Sequence, residues 1–213
     1  MEDIGEHYLE RYKVSSLIPS EIEDMVAYIR RPYLWFSSES TDDGIRKRLT
    51  RHPQTRLNIL SDKKTRECVG FSVFYTETIQ GMEVMFRGGT VILDRSKGLY
   101  KTIIERDLKH CHSDCIVTKT QNPRVFETLR SFSPTLTTYP SFDENPPPEW
   151  VLGLAHRFCE GLNFDPRTFV LKDLYEPLRR DEDFKVTKDP SISAEFKKKL
   201  GERDAFFVVV PLS

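Results

Sequence analysis

The chain has 213 residues, with 32 Lys and Arg against 33 Asp and Glu and a formal net charge of -1. Hydrophobic residues make up 38% and charged residues 31%, with both signs mixed. That balance excludes a disordered chain and gives no overall pull toward nucleic acid or an anionic membrane. A chain of this size buries enough surface for a single domain over 1–213 without a disulfide or a structural metal. The four cysteines, Cys68, Cys111, Cys115 and Cys159, have no second Cys/His pair at zinc spacing, so they read as structural or free thiols and no metal is expected. The N-terminus is acidic and lacks an apolar signal core, and no segment reaches membrane-spanning length. A cytoplasmic setting is expected.

In chain order, Tyr8 to Val14 is a plausible opening strand. Ser20 is placed to cap a helix whose stripe is Ile22, Met25, Val26 and Ile29, with Glu23 three residues after the cap. Pro32 is expected to end or kink it. Asp42 to Arg51 forms a short basic helix. From Arg56 the pattern changes to period two: Arg56 to Leu60, then Cys68 to Ile79, then a hairpin at Gln80-Gly81 returning as Met82 to Leu93. Gly88 and Gly89 interrupt this last strand, the signature of a bulge or of close approach by a backbone or ligand.

Asp94-Arg95-Ser96-Lys97-Gly98 leads into a helix over Leu99 to His110, with Leu99, Ile103, Ile104 and Leu108 on its apolar face. Cys115 to Thr118 is a short buried strand. Asn122-Pro123 supplies a cap and a first-turn proline for a helix reaching about Phe132, and Thr135 to Tyr139 is a candidate strand. Asp143 to Glu149, with three consecutive prolines, reads as a rigid linker. Trp150 to Gly161 and Ala194 to Leu200 read as helices, and Ala205 to Leu212 as a strand buried on both faces. Residues 145–200 thus read as a helical insertion before a last strand that rejoins the sheet.

This order resembles the GNAT superfamily of N-acetyltransferases, best over residues 55–140, as a divergent member. The segment that carries the likeness is Gly89-Thr-Val-Ile-Leu-Asp-Arg-Ser-Lys-Gly-Leu-Tyr-Lys-Thr-Ile-Ile. Family members carry an Arg/Gln-x-x-Gly-x-Gly/Ala turn between a strand and a helix; Arg95 and Gly98 match, and Tyr100 stands at the third position. The fold implied is α/β of the α+β kind, a central mixed but mostly antiparallel twisted sheet flanked by helices.

The resemblance implies acetyl-CoA, or a related acyl-CoA, as donor and an amine-bearing acceptor. Val91, Ile92 and Leu93 would hold the pantetheine arm. Arg95, Ser96, Lys97, Gly98, Leu99 and Tyr100 would hold the pyrophosphate on the amides of a helix N-terminus, and Asn122 would stand near the pantetheine. Glu83 is the candidate base, with Glu77 across the hairpin. The family's usual acid, a tyrosine seven residues after the Asn, is replaced by Leu129, which leaves Tyr100, Tyr139 or Tyr75 as substitutes. Trp35 and Phe36 fall where the family builds its acceptor pocket, or are ordinary core. The basic run Arg46-Lys47-Arg48 with Arg51-His52 reads first as a solvated helix face, with a nucleic-acid or 3′-phosphate contact as the rarer reading. His156, beside Leu152 and Cys159, is expected to be packed. The insertion is expected to shape the acceptor site or a subunit contact, as in a homodimer. The alternative is the same fold kept as an inactive binding or regulatory module.

Overall fold

The computed structural model describes residues 1–36, 41–93, 98–143, 145–175 and 187–212, with the side chains of Trp35 and Phe36 outside that description. It is an α/β chain that divides into two compact units, residues 1–77 with 85–112, and residues 78–84 with 113–213.

The first unit opens with β1 (Glu2–Ile4) and β2 (His7–Lys13), followed by α1 (Pro19–Phe36) and α2 (Asp42–Thr50). Helix α1 begins two residues earlier than the Ser20 cap predicts. Its opening is satisfied by Glu21, whose carboxylate accepts from the Ile18 N–H at 2.9 Å, while Glu23 pairs with Arg46 instead. The helix also runs through Pro32 to Phe36. The proline costs the rung to the Tyr28 carbonyl, but Ile29 and Tyr33 on either side are buried, and that packing outweighs one lost hydrogen bond. Helix α2 is capped by Thr41, whose Oγ1 accepts from the Gly44 N–H at 3.1 Å.

Three strands and a helix complete this unit: β3 (Arg56–Asp62), β4 (Cys68–Ile79), β5 (Met82–Ile92) and α3 (Leu99–His110). The turn between β4 and β5 is Gln80-Gly81, with φ of 53° and 82°, the doubly left-handed geometry of a two-residue hairpin. Strand pairing is antiparallel from β1 to β2, β2 to β3 and β3 to β4. Alternate side chains of β3 and β4 face two different layers. Leu57, Ile59, Phe71 and Val73 pack with Val26, Ile29, Ile45 and Leu49 of α1 and α2. On the other face, Leu9 and Leu60 pack with Leu99 and Ile103 of α3, and Phe74 and Met85 with Leu108.

A polar row crosses the α3 face. Arg11, Asn58 and Ser72 are register neighbours on β2, β3 and β4, and Asp107 of α3 sits over them fully buried. Its carboxylate accepts from Asn58 Nδ2 at 2.7 Å and from Arg87 Nη1 at 3.0 Å. Asn58 also reaches Ser72 Oγ at 3.0 Å, and Arg11 Nε lies 3.9 Å from Asp107. A carboxylate in apolar surroundings is tolerable only because these donors converge on it.

The second unit contains the hairpin tip Thr78–Val84 together with β6 (Cys115–Thr120), α4 (Pro123–Arg130), α5 (Glu149–Cys159), β7 (Phe164–Asp165), β8 (Val170–Leu171), α6 (Pro190–Lys199) and β9 (Ala205–Pro211). Helix α6 starts four residues before the predicted Ala194, because Asp189 caps it by accepting from the Ser191 N–H at 3.0 Å and Pro190 supplies its first position. Strand β9 lies between β6 and β8, antiparallel to both. Every one of its seven residues is buried. Phe206 packs against Phe142 and Phe196, and Phe207 against Phe158 and Phe164. The insertion is therefore not wholly helical, since its β7–β8 hairpin extends the sheet beside β9. Thr135 to Tyr139 makes no strand; Tyr139 alone bridges Val209, with bonds of 2.8 and 2.9 Å. His156 is exposed, not packed.

All four thiols are free and buried. Burial pushes Cys68 and Cys159 to about 11 and Cys115 to about 12, and raises Cys111 as well. No described helix is long and apolar enough to cross a membrane.

Two outcomes follow from this packing. Replacing Asp107 by Ala leaves the Arg87 guanidinium buried without its carboxylate and should cost about 3–5 kcal/mol in urea unfolding, whereas Arg31→Ala, which breaks an exposed pair with Glu67, should cost less than about 1 kcal/mol. With a thiol reagent at pH 8, the native protein should be modified no faster than it unfolds, because the thiolate is both shielded and disfavoured; rapid labelling of a native thiol would contradict this burial.

Candidate functional site

The predicted coenzyme residues fall into two groups. Val91, Ile92, Leu93, Gly98, Leu99 and Tyr100 belong to the first unit, at the end of β5 and the opening of α3; Glu83, Asn122 and Tyr139 belong to the second. Arg95, Ser96 and Lys97 lie outside the described residues.

Strand β5 changes face partway along. Arg87 and Thr90, three residues apart, meet on one side, with Nη2 donating to Oγ1 at 3.1 Å. A regular strand puts such residues on opposite faces. Phe86 stacks on Tyr75, and Val91, five residues later, joins Phe71 and Val73 on that same β4 face. One extra residue is therefore accommodated around Gly88-Gly89, a β-bulge where the sequence suggested one. The neighbour that closes on it is Arg48, whose Nη1 reaches the Gly88 carbonyl at 3.5 Å and whose guanidinium lies 5.5 Å over the Tyr33 ring.

Beyond the bulge, Val91 is buried, while Ile92 and Leu93 are half-buried. The Leu93 N–H donates to the Val69 carbonyl at 2.7 Å, so this amide is spent within the hairpin. Helix α3 then begins at Leu99 with Gly98 as its cap. Gly98 has φ 100°, a conformation open to glycine at little cost, and it carries no side-chain cap. It is exposed, and a Cβ placed there would meet nothing within 4 Å. The opening turn of a helix has N–H groups with no partner inside the helix and a dipole favouring anions. Among the described residues, no capping side chain covers those groups.

Tyr100, the residue that departs from a small third position, does not turn toward that opening. Its ring lies 5.6 Å from the Arg87 guanidinium. Burial raises the phenol, against the opposing pull of Arg87.

In the second unit, Glu83 is braced by the start of β6. Its N–H donates to Asp114 Oδ2 at 2.8 Å, and its carbonyl accepts from the Asp114 N–H at 2.7 Å. The Glu83 carboxylate accepts from the Thr78 hydroxyl. Asn122 caps α4, its side-chain oxygen accepting from the Arg124 N–H at 2.9 Å. Leu129, at the position of the usual acid, is fully buried. Tyr139 is packed between Trp150 and Phe169, and burial, with Asp143 nearby, raises its phenol. A cavity of about 470 Å³ in this unit is lined by Met82, Asp114, Cys115, Trp150 and Pro211, none of them a predicted site residue.

The basic run is largely neutralised. Arg46 makes a two-bond pair with Glu23 and a third contact to Asp43, and Lys47 pairs with Asp43 at 2.7 Å. His52 stacks on Tyr75 at 3.9 Å, and its Nδ1 accepts from the Gln54 N–H. Among the described residues, no three His, Cys, Asp or Glu side chains gather as metal ligands. Sequence reasoning did not single out Arg87, Asp107 or Asn58; a lone Arg inside an otherwise apolar strand was the available signal.

No family model matches the sequence, and no curated protein does. Among solved structures, the chain is similar to one chain of the NatC complex bound to Gag peptide and CoA, at 14% identity over 98% of this chain and 99% of that one, with a TM-score of 0.46. It is similar to a GNAT family acetyltransferase from Staphylococcus aureus at 17% identity, covering 49% and 77% with a TM-score of 0.38. It is also similar to spermidine N-acetyltransferase from Vibrio cholerae in complex with CoA and spermine, at 12% identity, 60% and 80% coverage and a TM-score of 0.41.

Proposed function

We propose that the chain is a divergent GNAT-type N-acyltransferase of the cytoplasm, moving an acetyl or related acyl group from acyl-CoA to an amine. The observation that carries this reading is Gly98: a left-handed, exposed glycine opening a three-turn helix, with a bulged strand before it in the sequence. Such an opening suits a diphosphate, because its amides and dipole face the anion and no Cβ obstructs the approach. Arg95, Ser96 and Lys97 would add charge and hydroxyl contacts beside it, and Val91 to Leu93 would line the pantetheine arm, to which the resemblance also assigns Asn122.

In the reaction, the acceptor ammonium must lose a proton before nitrogen attacks the thioester carbonyl, and the departing thiolate must gain one. Glu83 is the proposed base, directly or through water. Tyr100 or Tyr139 is the proposed acid; burial raises both phenols above their ordinary value. Amide N–H groups and helix dipole supply the binding energy that fixes the thioester in place.

One observation favours a second reading, in which the fold binds coenzyme A without turnover. The usual acid's position is occupied by Leu129, which is fully buried and cannot be exchanged for a proton donor without disturbing the core.

Coenzyme A and acetyl-CoA should each raise the melting temperature. At about 100-fold excess over the dissociation constant, a ligand binding only the native state adds about 2.7 kcal/mol. Gly98→Val, which forces a β-branched residue into left-handed backbone, should abolish most of that shift. Absence of any shift with the wild-type chain would overturn both readings. A shift without thiol release across a panel of amines would select the second.

A further inference from the structure

Resting on the coenzyme reading above, we propose that Arg87 is a positioning residue that ties the β5 bulge to the opening of α3, so that one buried guanidinium sets both surfaces the coenzyme would touch. Arg87 lies on β5 immediately before Gly88-Gly89. Its side chain is 2% exposed, and three of its engagements point in different directions. Nη2 donates to Thr90 Oγ1 at 3.1 Å, across the bulge. Nη1 donates to Asp107 Oδ2 at 3.0 Å, two turns along α3. The guanidinium carbon lies over the Tyr100 ring, 5.6 Å from its centroid, in the first turn of α3.

Each engagement constrains something different. The Thr90 bond holds the two sides of the bulge in the register that turns Val91 onto the α1–α2 face. The Asp107 bond fixes the helix axis against the strand, and Asp107 is itself held by Asn58 at 2.7 Å. The Tyr100 contact keeps a bulky ring off the Gly98 amides, which is what a small third residue achieves by having no ring. An arginine is suited to this because its planar fork serves two hydrogen-bond acceptors while its face remains available for an aromatic ring. Lysine offers a point charge and cannot hold all three.

The test is a double-mutant cycle read by calorimetric titration of coenzyme A, with each variant kept well below its melting temperature. Thr90→Val and Tyr100→Leu should each weaken binding about tenfold. The double variant should be no worse than the poorer single one, since both act through the same guanidinium. In an Arg87→Lys background neither substitution should add to the loss. Ile59→Val, a core change on the opposite face of β3, should lower the melting temperature while leaving affinity unchanged. Effects of Thr90→Val and Tyr100→Leu that multiply, or affinities that do not move, would overturn the proposal while the acyltransferase reading stands. If Arg87→Lys fails to fold, the Thr90 and Tyr100 cycle still decides. A wild-type chain that binds no coenzyme A removes both together.

Discussion

The first unit is organised around one buried carboxylate. Asp107 belongs to α3, yet the groups that make its burial tolerable belong to β2, β3 and β5. Taking such a charge out of water is costly unless its hydrogen-bonding capacity is met from several sides. That requirement fixes the rotation of α3 about its axis and the height at which it sits on the sheet, which apolar contacts from Leu99, Ile103 and Leu108 alone would leave looser. The same carboxylate determines where Arg87 must point. The guanidinium in turn fixes Thr90 and receives Tyr100. A polar cluster beneath the helix thus governs the backbone at the helix's exposed end, where anion recognition is proposed.

Much of this architecture was readable from the residues. Strand β4 and helix α3 begin and end where period-two and period-3.6 patterning put them, because both bury continuous faces and carry clear turn signals at their ends. The hairpin at Gln80-Gly81 and the bulge at Gly88-Gly89 were marked by their glycines. What sequence could not supply were features decided by partners distant along the chain. Pro32 announces a helix end by local rules, yet the burial of Tyr33 carries α1 past it. Phe164–Asp165 and Val170–Leu171 are too short to show periodicity; they are strands because β9 offers an edge. Thr135 to Tyr139 has strand-like composition but finds only one bridge.

The site was legible to a similar depth. Gly98 could be placed at the start of a helix from its neighbours, and its left-handed geometry agrees with that placement. Whether Tyr100 would block the turn could not be read from spacing, since the answer depends on a guanidinium thirteen residues earlier in another element. The basic run of α2 shows the converse. Its charges are plain in the sequence, but Glu23 and Asp43 engage Arg46 and Lys47, leaving Arg48 as the member that approaches β5.

Strand β9 carries a consequence for how the chain is made. It occupies the middle of the second unit, joining β6 to β8, yet both of those strands precede it in the sequence. During synthesis, β6 and the β7–β8 hairpin leave the ribosome with their facing edges unpaired and the phenylalanines of α5 and α6 without their central partners. Until residues 205–211 arrive, those edges are open to strands of other chains, and closure then demands a long-range insertion between two waiting neighbours. The second unit's sheet is therefore completed only when its last strand is made.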